Sequence, residues 1–178
     1  MNVVGISGSL RAGSFNTGIL HAINSNSDFD LVVADISQIP LYRRELDGKE
    51  KPAAAVELTR QIRAADGVIL ATPEYNYSFS GVIKNAIDWV SRFDDQPFAA
   101  KPVGIVSAAA GRLGGARAQY PLRQVMVYLD ARVMNLPEVF VGGAREKFDE
   151  EGGLTDPESL AAVAAFAKAF SRWITSVK

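Results

Sequence analysis

Residues 2–17 read NVVGISGSLRAGSFNT, an apolar run that passes directly into small, polar and basic residues. Val3–Ile6 has the composition of a buried strand, the residues after it are rich in Gly and Ser, and a helix-like pattern begins at Asn16. A strand that ends in a Gly/Ser loop at a helix N-terminus presents backbone N–H groups to an anion, and the helix dipole favours negative charge there. The stretch therefore predicts a βα unit with an anion site, and we expect a phosphate group as its ligand.

The composition restricts the classes of protein to which the chain can belong. With 178 residues and a formal net charge of −1, it predicts one domain, residues 1–178, without a basic surface for nucleic acid or an anionic membrane. The absence of Cys and the single histidine, His21, exclude disulfides, thiolate nucleophiles and Cys- or His-rich metal sites, so we predict no metal. No apolar run approaches the roughly 18 residues of a membrane span, and no secretory signal precedes the first strand, so the expected location is cytoplasmic.

Short apolar runs alternate with longer amphipathic stretches along the chain, and continuous apolar runs are typical of parallel strands buried on both faces. Four such runs are Val3–Ile6, Leu31–Ala34, Val68–Ala71 and Val103–Val106. Two segments compete for a fifth strand, Arg132–Met134 and Val139–Val141, and Leu136-Pro137 separates them. The alternation predicts an α/β fold: a flavodoxin-like, doubly wound, five-stranded parallel sheet in the order 2-1-3-4-5.

Helical spacing of apolar residues predicts the connecting elements. The predicted helices are Asn16–Ser25, Pro52–Ala65, Gly81–Phe93, approximately Gly115–Leu129, and Thr155–Val177. Pro52 is acceptable in a first turn, and Thr155 and Glu158 have the spacing of a capping box. Pro121 lacks an N–H donor, so we expect it to kink or restart the fourth helix.

Parallel sheets of this kind bind ligands beyond the carboxyl ends of their strands, near the switch in strand order. This rule selects three loops, Ser7–Thr17, Thr72–Ser80 and Ser107–Gly115. The first loop lacks both the Lys and Ser/Thr pair of a Walker loop and the G-x-G-x-x-G pattern of a dinucleotide site. Its hydroxyls, its amide and its single cation, Arg11, suit a terminal monophosphate, because arginine offers a bidentate fork. The alternative is a Gly/Ser turn that only caps the first helix.

Four motifs occur together in order along the chain. They are Ser9-Leu10-Arg11-x-x-Ser14-x-Asn16, Pro73-Glu74-Tyr75-Asn76, Lys84-Asn85-Ala86-Ile87-Asp88-Trp89 and Gly114-Gly115-Ala116-Arg117. From about residue 2 to residue 142 the chain resembles the NADPH-dependent FMN reductase family, and within it the bacterial chromate/quinone reductase branch. The resemblance implies a flavodoxin-like fold, tightly bound FMN, and a homodimer or homotetramer. It also implies two-electron transfer from NADPH or NADH to quinones, azo compounds, chromate or similar acceptors.

The resemblance assigns cofactor-binding residues as well. The residues it assigns to the FMN phosphate are Ser9, Arg11, Ser14, Asn16 and Thr17. Pro73–Asn76 would line the isoalloxazine edge, and Ser107 with the Gly111–Gly115 loop would close the other side. The full predicted set is Ser9, Leu10, Arg11, Ser14, Phe15, Asn16, Thr17, Pro73, Glu74, Tyr75, Asn76, Tyr77, Ser107, Gly111 and Gly114.

Two residues depart from the family pattern. Ser80 stands where the family usually has proline, which predicts a looser loop. Pro121 stands where histidine is typical, which leaves open the shape of the fourth helix and a subunit contact. Arg117 either attracts the NADPH phosphate or pairs with an acid such as Glu138 across a subunit boundary. The charges of Glu146–Glu151 are interpreted as those of a solvated loop.

Several other side chains have a structural explanation beside the functional one. Tyr75 is expected to lie at the site, whereas Tyr77 is explained equally well by contact with a neighbouring subunit. Trp89 and Phe93 are assigned to one helix face in the core or at an interface. His21, inside the first helix, is interpreted as structural or surface-exposed.

The expected mechanism is ping-pong hydride transfer. The nicotinamide hydride passes to flavin N5, NADP⁺ leaves, and an acceptor then stacks in the same place. No side chain is needed as acid, base or nucleophile, and backbone N–H groups of the glycine loop are expected to stabilise negative charge at flavin N1–C2=O. One alternative is a flavodoxin-like FMN carrier reduced by a partner protein, against which the near-neutral charge argues. A sensor of a phosphate ligand, without turnover, is a third hypothesis.

Overall fold

A parallel β-sheet forms the centre of the computed structural model, which describes residues 1–177. The strands within this range are β1 Asn2–Ser7, β2 Asp30–Ala34, β3 Gly67–Ala71, β4 Pro102–Ala108, β5 Arg132–Val133 and β6 Val139–Val141. The strand order is β2-β1-β3-β4-β5, and neighbouring strands are parallel. The predicted flavodoxin-like order is therefore confirmed.

Both candidates for the fifth strand form strands, and both pair with β4. β5 pairs with Pro102 and Val103, and β6 pairs further along β4 with Val106–Ala108. The segment between β5 and β6 contains Leu136-Pro137, whose proline cannot donate a ladder hydrogen bond, and this interrupts the edge of the sheet. The predicted count of five strands is thus corrected to six within residues 1–177.

Helices cover both faces of the sheet. Their bounds are α1 Phe15–Ser25, α2 Ala53–Ala64, α3 Gly81–Val90, α4 Ala116–Tyr128, α5 Ala144–Lys147 and α6 Pro157–Val177, with a 3₁₀ turn at Arg44–Leu46. Pro52 is the residue before α2 and not part of its first turn. Helix α3 ends before Phe93, so the prediction that Phe93 shares a helix face with Trp89 was wrong. Trp89 itself is fully buried in the core.

Two further expectations about helices need correction. The N-terminus of α6 is capped by Asp156, whose Oδ2 accepts the Ser159 N–H at 2.9 Å. The predicted capping box is wrong, since the Thr155 hydroxyl donates to the Lys147 carbonyl instead. Helix α4 continues through Pro121 as one element and does not restart there. A proline inside a helix removes one intrahelical hydrogen bond, which the rest of α4 tolerates.

Each face of the sheet has its own apolar core. On one face, side chains of β1, β3 and β4 pack against α2, α3 and α4; on the other face they pack against α1 and α6. All residues of β3 and β4 are buried, which explains their continuous apolar sequences. The helices thereby leave the carboxyl ends of β1, β3 and β4 at one edge of the sheet. No helix within residues 1–177 is long and apolar enough to cross a membrane.

Candidate functional site

The three predicted loops come together at the carboxyl ends of their strands. We call them the β1–α1 loop (residues 8–14), the β3–α3 loop (residues 72–80) and the β4–α4 loop (residues 109–115). A cleft of about 300 Å³ is bounded by all three and is lined by Ser9, Arg11, Ser14, Phe15, Asn16, Pro73, Glu74, Tyr75 and Ala108–Ala110. A second cleft of about 280 Å³ lies between Glu74 and the β4–α4 loop. Both clefts share Glu74, Ala109 and Ala110, so we treat them as one two-part cleft.

The β1–α1 loop ends at the N-terminus of α1. Ser14 is the N-cap, with an extended backbone (φ −67°, ψ 124°), and its Oγ accepts the Thr17 N–H at 3.3 Å. The Thr17 hydroxyl donates to Ser7 Oγ at 2.9 Å, which joins the helix to the end of β1. The first turn of α1 carries no acidic residue. This end of the cleft therefore combines a positive helix terminus with hydroxyl groups, as an anion site requires.

Arg11 provides the cation of the β1–α1 loop. Its guanidinium lies 4.5 Å from the centre of the Phe15 ring, and Nη2 donates to the Gly13 carbonyl at 2.5 Å. The side chain is exposed at the rim of the cleft. A guanidinium held in this way keeps further N–H donors for a ligand oxygen, because it carries five.

Two predicted ligand residues direct their polar atoms into the protein. Asn16 is buried, and its side-chain amide forms a pair of hydrogen bonds with Ala108: Nδ2 donates to the carbonyl at 3.1 Å and Oδ1 accepts the N–H at 3.0 Å. Ser107 Oγ donates to the Gly114 carbonyl at 2.6 Å and accepts from Gln119 Nε2 at 2.8 Å. In this structure these side chains fix the neighbouring loops, and their contribution to cofactor binding stays a prediction. A sequence cannot distinguish the two roles, since both require a polar side chain.

Glu74 stands between the two parts of the cleft and is paired with Arg117. Arg117 Nε donates to Glu74 Oε1 at 2.6 Å, and its guanidinium lies 3.7 Å from the centre of the Tyr77 ring. The hydrogen bond to the carboxylate raises the pKa of Arg117. The side chain of Glu74 is only 7% exposed, and its Oε2 has no hydrogen-bond partner among residues 1–177. Within one chain Arg117 is thus paired with Glu74, while a contact with Glu138 across a subunit boundary stays a prediction.

A tight turn displays the aromatic residues of the β3–α3 loop. Tyr75 and Ser78 exchange backbone hydrogen bonds of 2.9 and 3.0 Å, while Asn76 and Tyr77 have positive φ angles of 50° and 70°. The turn leaves Tyr75 and Tyr77 more than half exposed. Tyr75 lines the cleft, and Tyr77 packs against Arg117, which lines its second part. Ser80, which follows, is buried, and its Oγ caps α3 by accepting the Ile83 N–H at 3.4 Å. The loop is therefore anchored at Ser80, where we had expected it to be looser.

The glycines of the β4–α4 loop are required by its path. Gly114 and Gly115 have φ angles of 59° and 90°, and a Cβ on Gly115 would lie 2.7 Å from Ser107 Cβ. Gly111, by contrast, borders open space. The loop also brings Arg112 to the second part of the cleft. Arg112 and the backbone of Ala108–Ala110 were not in the predicted set, and the position of Ala108–Ala110 directly after β4 was the signal that could have identified them.

The sequence and the fold are both similar to those of known oxidoreductases. The family described as NADPH-dependent FMN reductase matches residues 1–146. The chain is 46% identical over 180 residues to an NAD(P)H-dependent FMN reductase from Pseudomonas aeruginosa, covering 100% of this chain and 97% of the relative. It is 45% identical over 183 residues to a quinone reductase from Escherichia coli, with the same coverage of 100% and 97%. FerB, a flavoenzyme NAD(P)H:(acceptor) oxidoreductase from Paracoccus denitrificans, has a TM-score of 0.89 at 29% identity, covering 98% of this chain and 97% of FerB.

Proposed function

The chain belongs to the NADPH-dependent FMN reductase family, and from this premise we propose that it reduces quinones by a ping-pong reaction, with FMN held in the two-part cleft. It is an oxidoreductase that uses FMN and NADPH or NADH. One observation carries the proposal. The two parts of the cleft share Glu74, so together they extend from the N-terminus of α1 to the β4–α4 loop. Chromate and azo compounds remain predicted acceptors beside quinones.

One end of the cleft fits the phosphate of FMN. The N-terminus of α1, the Ser9 and Ser14 hydroxyls and the Arg11 guanidinium line this end. Backbone N–H groups and a guanidinium suit a dianionic group better than a carboxamide or a sugar hydroxyl. Thr17 donates its backbone N–H to Ser14 Oγ and its hydroxyl to Ser7 Oγ, so it would support this end by holding the loop in place. Asn16 would support this end indirectly, through Ala108.

The other end fits a planar ring that carries an N–H donor. Glu74 Oε2 is a buried carboxylate oxygen that has no hydrogen-bond partner in the described part of the chain, and such an atom is costly unless a donor reaches it. The imide N–H of an isoalloxazine ring is a donor of the required kind. On the far side, a Cβ added to Gly111 would meet no atom of residues 1–177 within 4 Å, and the lining residues Ala109 and Ala110 have only methyl side chains. The residues present therefore fit FMN.

The residues of the chain would bind and orient the reactants. When bound, FMN supplies hydride acceptance from NAD(P)H and two-electron donation to the acceptor. Arg117 donates a hydrogen bond to Glu74 Oε1 and so fixes the direction of the carboxylate. Tyr75 and Tyr77 offer exposed rings against which a nicotinamide or a quinone can pack. Because the same open face would receive both reactants, NADP⁺ must leave before the acceptor binds.

Anaerobic reduction tests the proposal. We expect NADPH alone to bleach the visible absorbance of the FMN-loaded protein, and a stoichiometric quinone to restore it. Steady-state rates at several quinone concentrations should give parallel double-reciprocal lines. A flavodoxin-like carrier is the opposite outcome: its FMN would resist NADPH and NADH and would be reduced only through a reductase partner. Parallel titrations with NADPH and NADH establish which donor is preferred.

Assembly and location remain predictions. We propose a homodimer or homotetramer, which the exposure of apolar side chains on and near α4 supports. These are Tyr120, Val127, Tyr128 and Leu136, each more than half exposed. The molar mass in solution, measured by light scattering, tests this assembly, and a monomer at micromolar concentration would contradict it. The cytoplasm stays the proposed location.

A further inference from the structure

A turn beyond the region that the family matches lies against the candidate phosphate site. This turn, residues 148–154, is closed by an antiparallel bridge between Phe148 and Leu154. Asp149 Oδ1 accepts the N–H groups of Glu151 at 3.0 Å and of Gly153 at 2.7 Å, while the Asp149 N–H donates to the Gly153 carbonyl at 2.9 Å. A single carboxylate therefore organises the backbone of the turn.

The turn touches the β1–α1 loop backbone to backbone. Gly152 has a φ of 89°, and a Cβ added to it would lie 2.7 Å from the Gly13 carbonyl carbon. A Cβ added to Gly18, in the first turns of α1, would collide with the Gly152 carbonyl oxygen. The Phe148 ring also packs against Phe15 at a centroid distance of 4.9 Å. Contacts this close are tolerated only because glycine occupies these positions.

Arg11 belongs to the same β1–α1 loop, and together with Asp149 and Gly152 it lines a cleft of about 460 Å³. Its guanidinium lies over Phe15 and donates to the Gly13 carbonyl, so both of its supports are residues that the turn contacts. A continuous set of contacts thus leads from Asp149 through Gly152 and Gly13 to Arg11. We infer that Asp149 is a positioning residue, which fixes the β1–α1 loop in the shape that receives the FMN phosphate. The inference rests on the proposed function, because it takes this loop as the phosphate site.

A purely electrostatic role for Asp149 predicts the opposite sign. A carboxylate near a bound phosphate repels it, so removal of the charge alone would tighten FMN binding. A positioning role requires only an acceptor oxygen at Oδ1, which asparagine also provides. Asp149→Asn and Asp149→Ala therefore separate the two roles. Glu150→Ala is the matched control, because it removes an exposed carboxylate from the same turn.

The test is a fluorescence titration of FMN and of riboflavin into flavin-free protein. Riboflavin has the same ring but no phosphate. For Asp149→Ala we expect about tenfold weaker FMN binding, equivalent to the loss of one to two hydrogen bonds, and riboflavin affinity within about twofold of wild type. Asp149→Asn and Glu150→Ala should keep the wild-type ratio. Gly152→Ala, whose methyl group would press on Gly13, should show the same selective loss as Asp149→Ala.

Equal weakening of both flavins in Asp149→Ala, an unchanged FMN affinity, or tighter FMN binding in both Asp149 variants would overturn the inference. Flavin binding by the wild-type protein distinguishes failure of the inference from failure of the proposed function. If the wild type binds neither flavin, the proposed function and the inference both fall. If the wild type prefers FMN and the Asp149 variants keep that preference, only the inference falls. Thermal melting without flavin shows whether each variant is folded.

Discussion

Arg117 binds one oxygen of the Glu74 carboxylate, and the other oxygen is buried without a hydrogen-bond partner within residues 1–177. The Nε–Oε1 distance is 2.6 Å, and the carboxylate lies where the two parts of the cleft join. Burial of an ionised group is favourable only when it is paired, so Arg117 is what allows a carboxylate at this position. The unpartnered Oε2 then becomes the acceptor that the cleft offers to a ligand. The pair therefore selects a ligand with an N–H donor.

Replacing the acceptor oxygen Glu74 Oε2 should weaken the binding of a flavin whether or not it carries a phosphate. Glu74→Gln places an amide next to Arg117, and an NH₂ group then occupies the position of one carboxylate oxygen. Because two donors would face each other, we expect FMN and riboflavin each to bind about tenfold more weakly. Glu158→Gln, which changes an exposed carboxylate on α6, is the control. Unchanged affinity for both flavins in Glu74→Gln would show that Oε2 does not contact the ring.

Removing the Arg11 guanidinium should instead weaken only the binding of the FMN phosphate. For Arg11→Ala we expect FMN affinity to fall by about 10- to 100-fold, the usual effect of a lost charge-assisted hydrogen bond, while riboflavin affinity changes little. The wild-type preference for FMN should also weaken with added salt, because the guanidinium is exposed. Arg172→Ala removes an exposed cation from α6 and should change neither affinity. An equal loss for both flavins would place Arg11 elsewhere than at the phosphate.

Gly8 and Ser80 should be energetically coupled. A Cβ on Gly8 would lie 2.6 Å from Ser80 Oγ and 3.1 Å from Pro73 Cδ, so Gly8→Ala should destabilise the protein by about 1–3 kcal/mol. Ser80→Ala removes the cap of α3, at a cost of about 1 kcal/mol, and also removes the obstructing hydroxyl. The free energy of unfolding, measured in urea, should fall less in the double variant than the two single losses add up to. We expect the difference to be about 1 kcal/mol. Strict additivity would contradict this contact.

Asp47 should make stability depend on pH in the acid range. Its carboxylate accepts hydrogen bonds from Lys51 at 2.8 Å and Arg92 at 2.6 Å, and these bonds lower its pKa from 3.8 to about 2. Since the folded pKa lies below the unfolded value, the stabilisation is complete above about pH 4 and is lost as the pH falls through about 2.

Asp47→Asn is the variant that tests this pH dependence. At pH 7 it should be less stable than wild type by about 1–2 kcal/mol, because Lys51 and Arg92 lose an ionised acceptor. In urea unfolding the difference should shrink between about pH 4 and pH 2. Asp94→Asn, on an exposed loop, should follow wild type throughout. A difference between Asp47→Asn and wild type that is constant with pH would contradict the lowered pKa.

The sheet and the meeting of the three loops could be predicted because both follow from local sequence. Apolar runs such as Val103–Val106 identify strands buried on both faces, and parallel strands necessarily bring their carboxyl ends to one edge. The division of the last strand into β5 and β6 could not be predicted, since both segments have strand composition and only their pairing with β4 shows that each is used.

Side-chain direction was the part of the site that the sequence did not determine. Asn16 and Ser107 have the residue types of ligand-binding positions, yet their polar atoms hold Ala108 and Gly114. The acidic stretch Glu146–Glu151 has the composition of a solvated loop, but Asp149 within it organises a turn against the β1–α1 loop. The role of Ser107 depends on the path of a local loop, and those of Asn16 and Asp149 on contacts between residues far apart in the chain. Composition and periodicity report neither.

A crystal structure of the protein grown with excess FMN tests the central claim most directly. The account predicts the phosphate at the N-terminus of α1, within hydrogen-bond distance of Ser9, Arg11 or Ser14, and the ring between Glu74 and the glycines that begin at Gly111. Its imide N–H should donate to Glu74 Oε2. A flavin bound in the reverse orientation, or elsewhere with this cleft filled by side chains, would contradict the account.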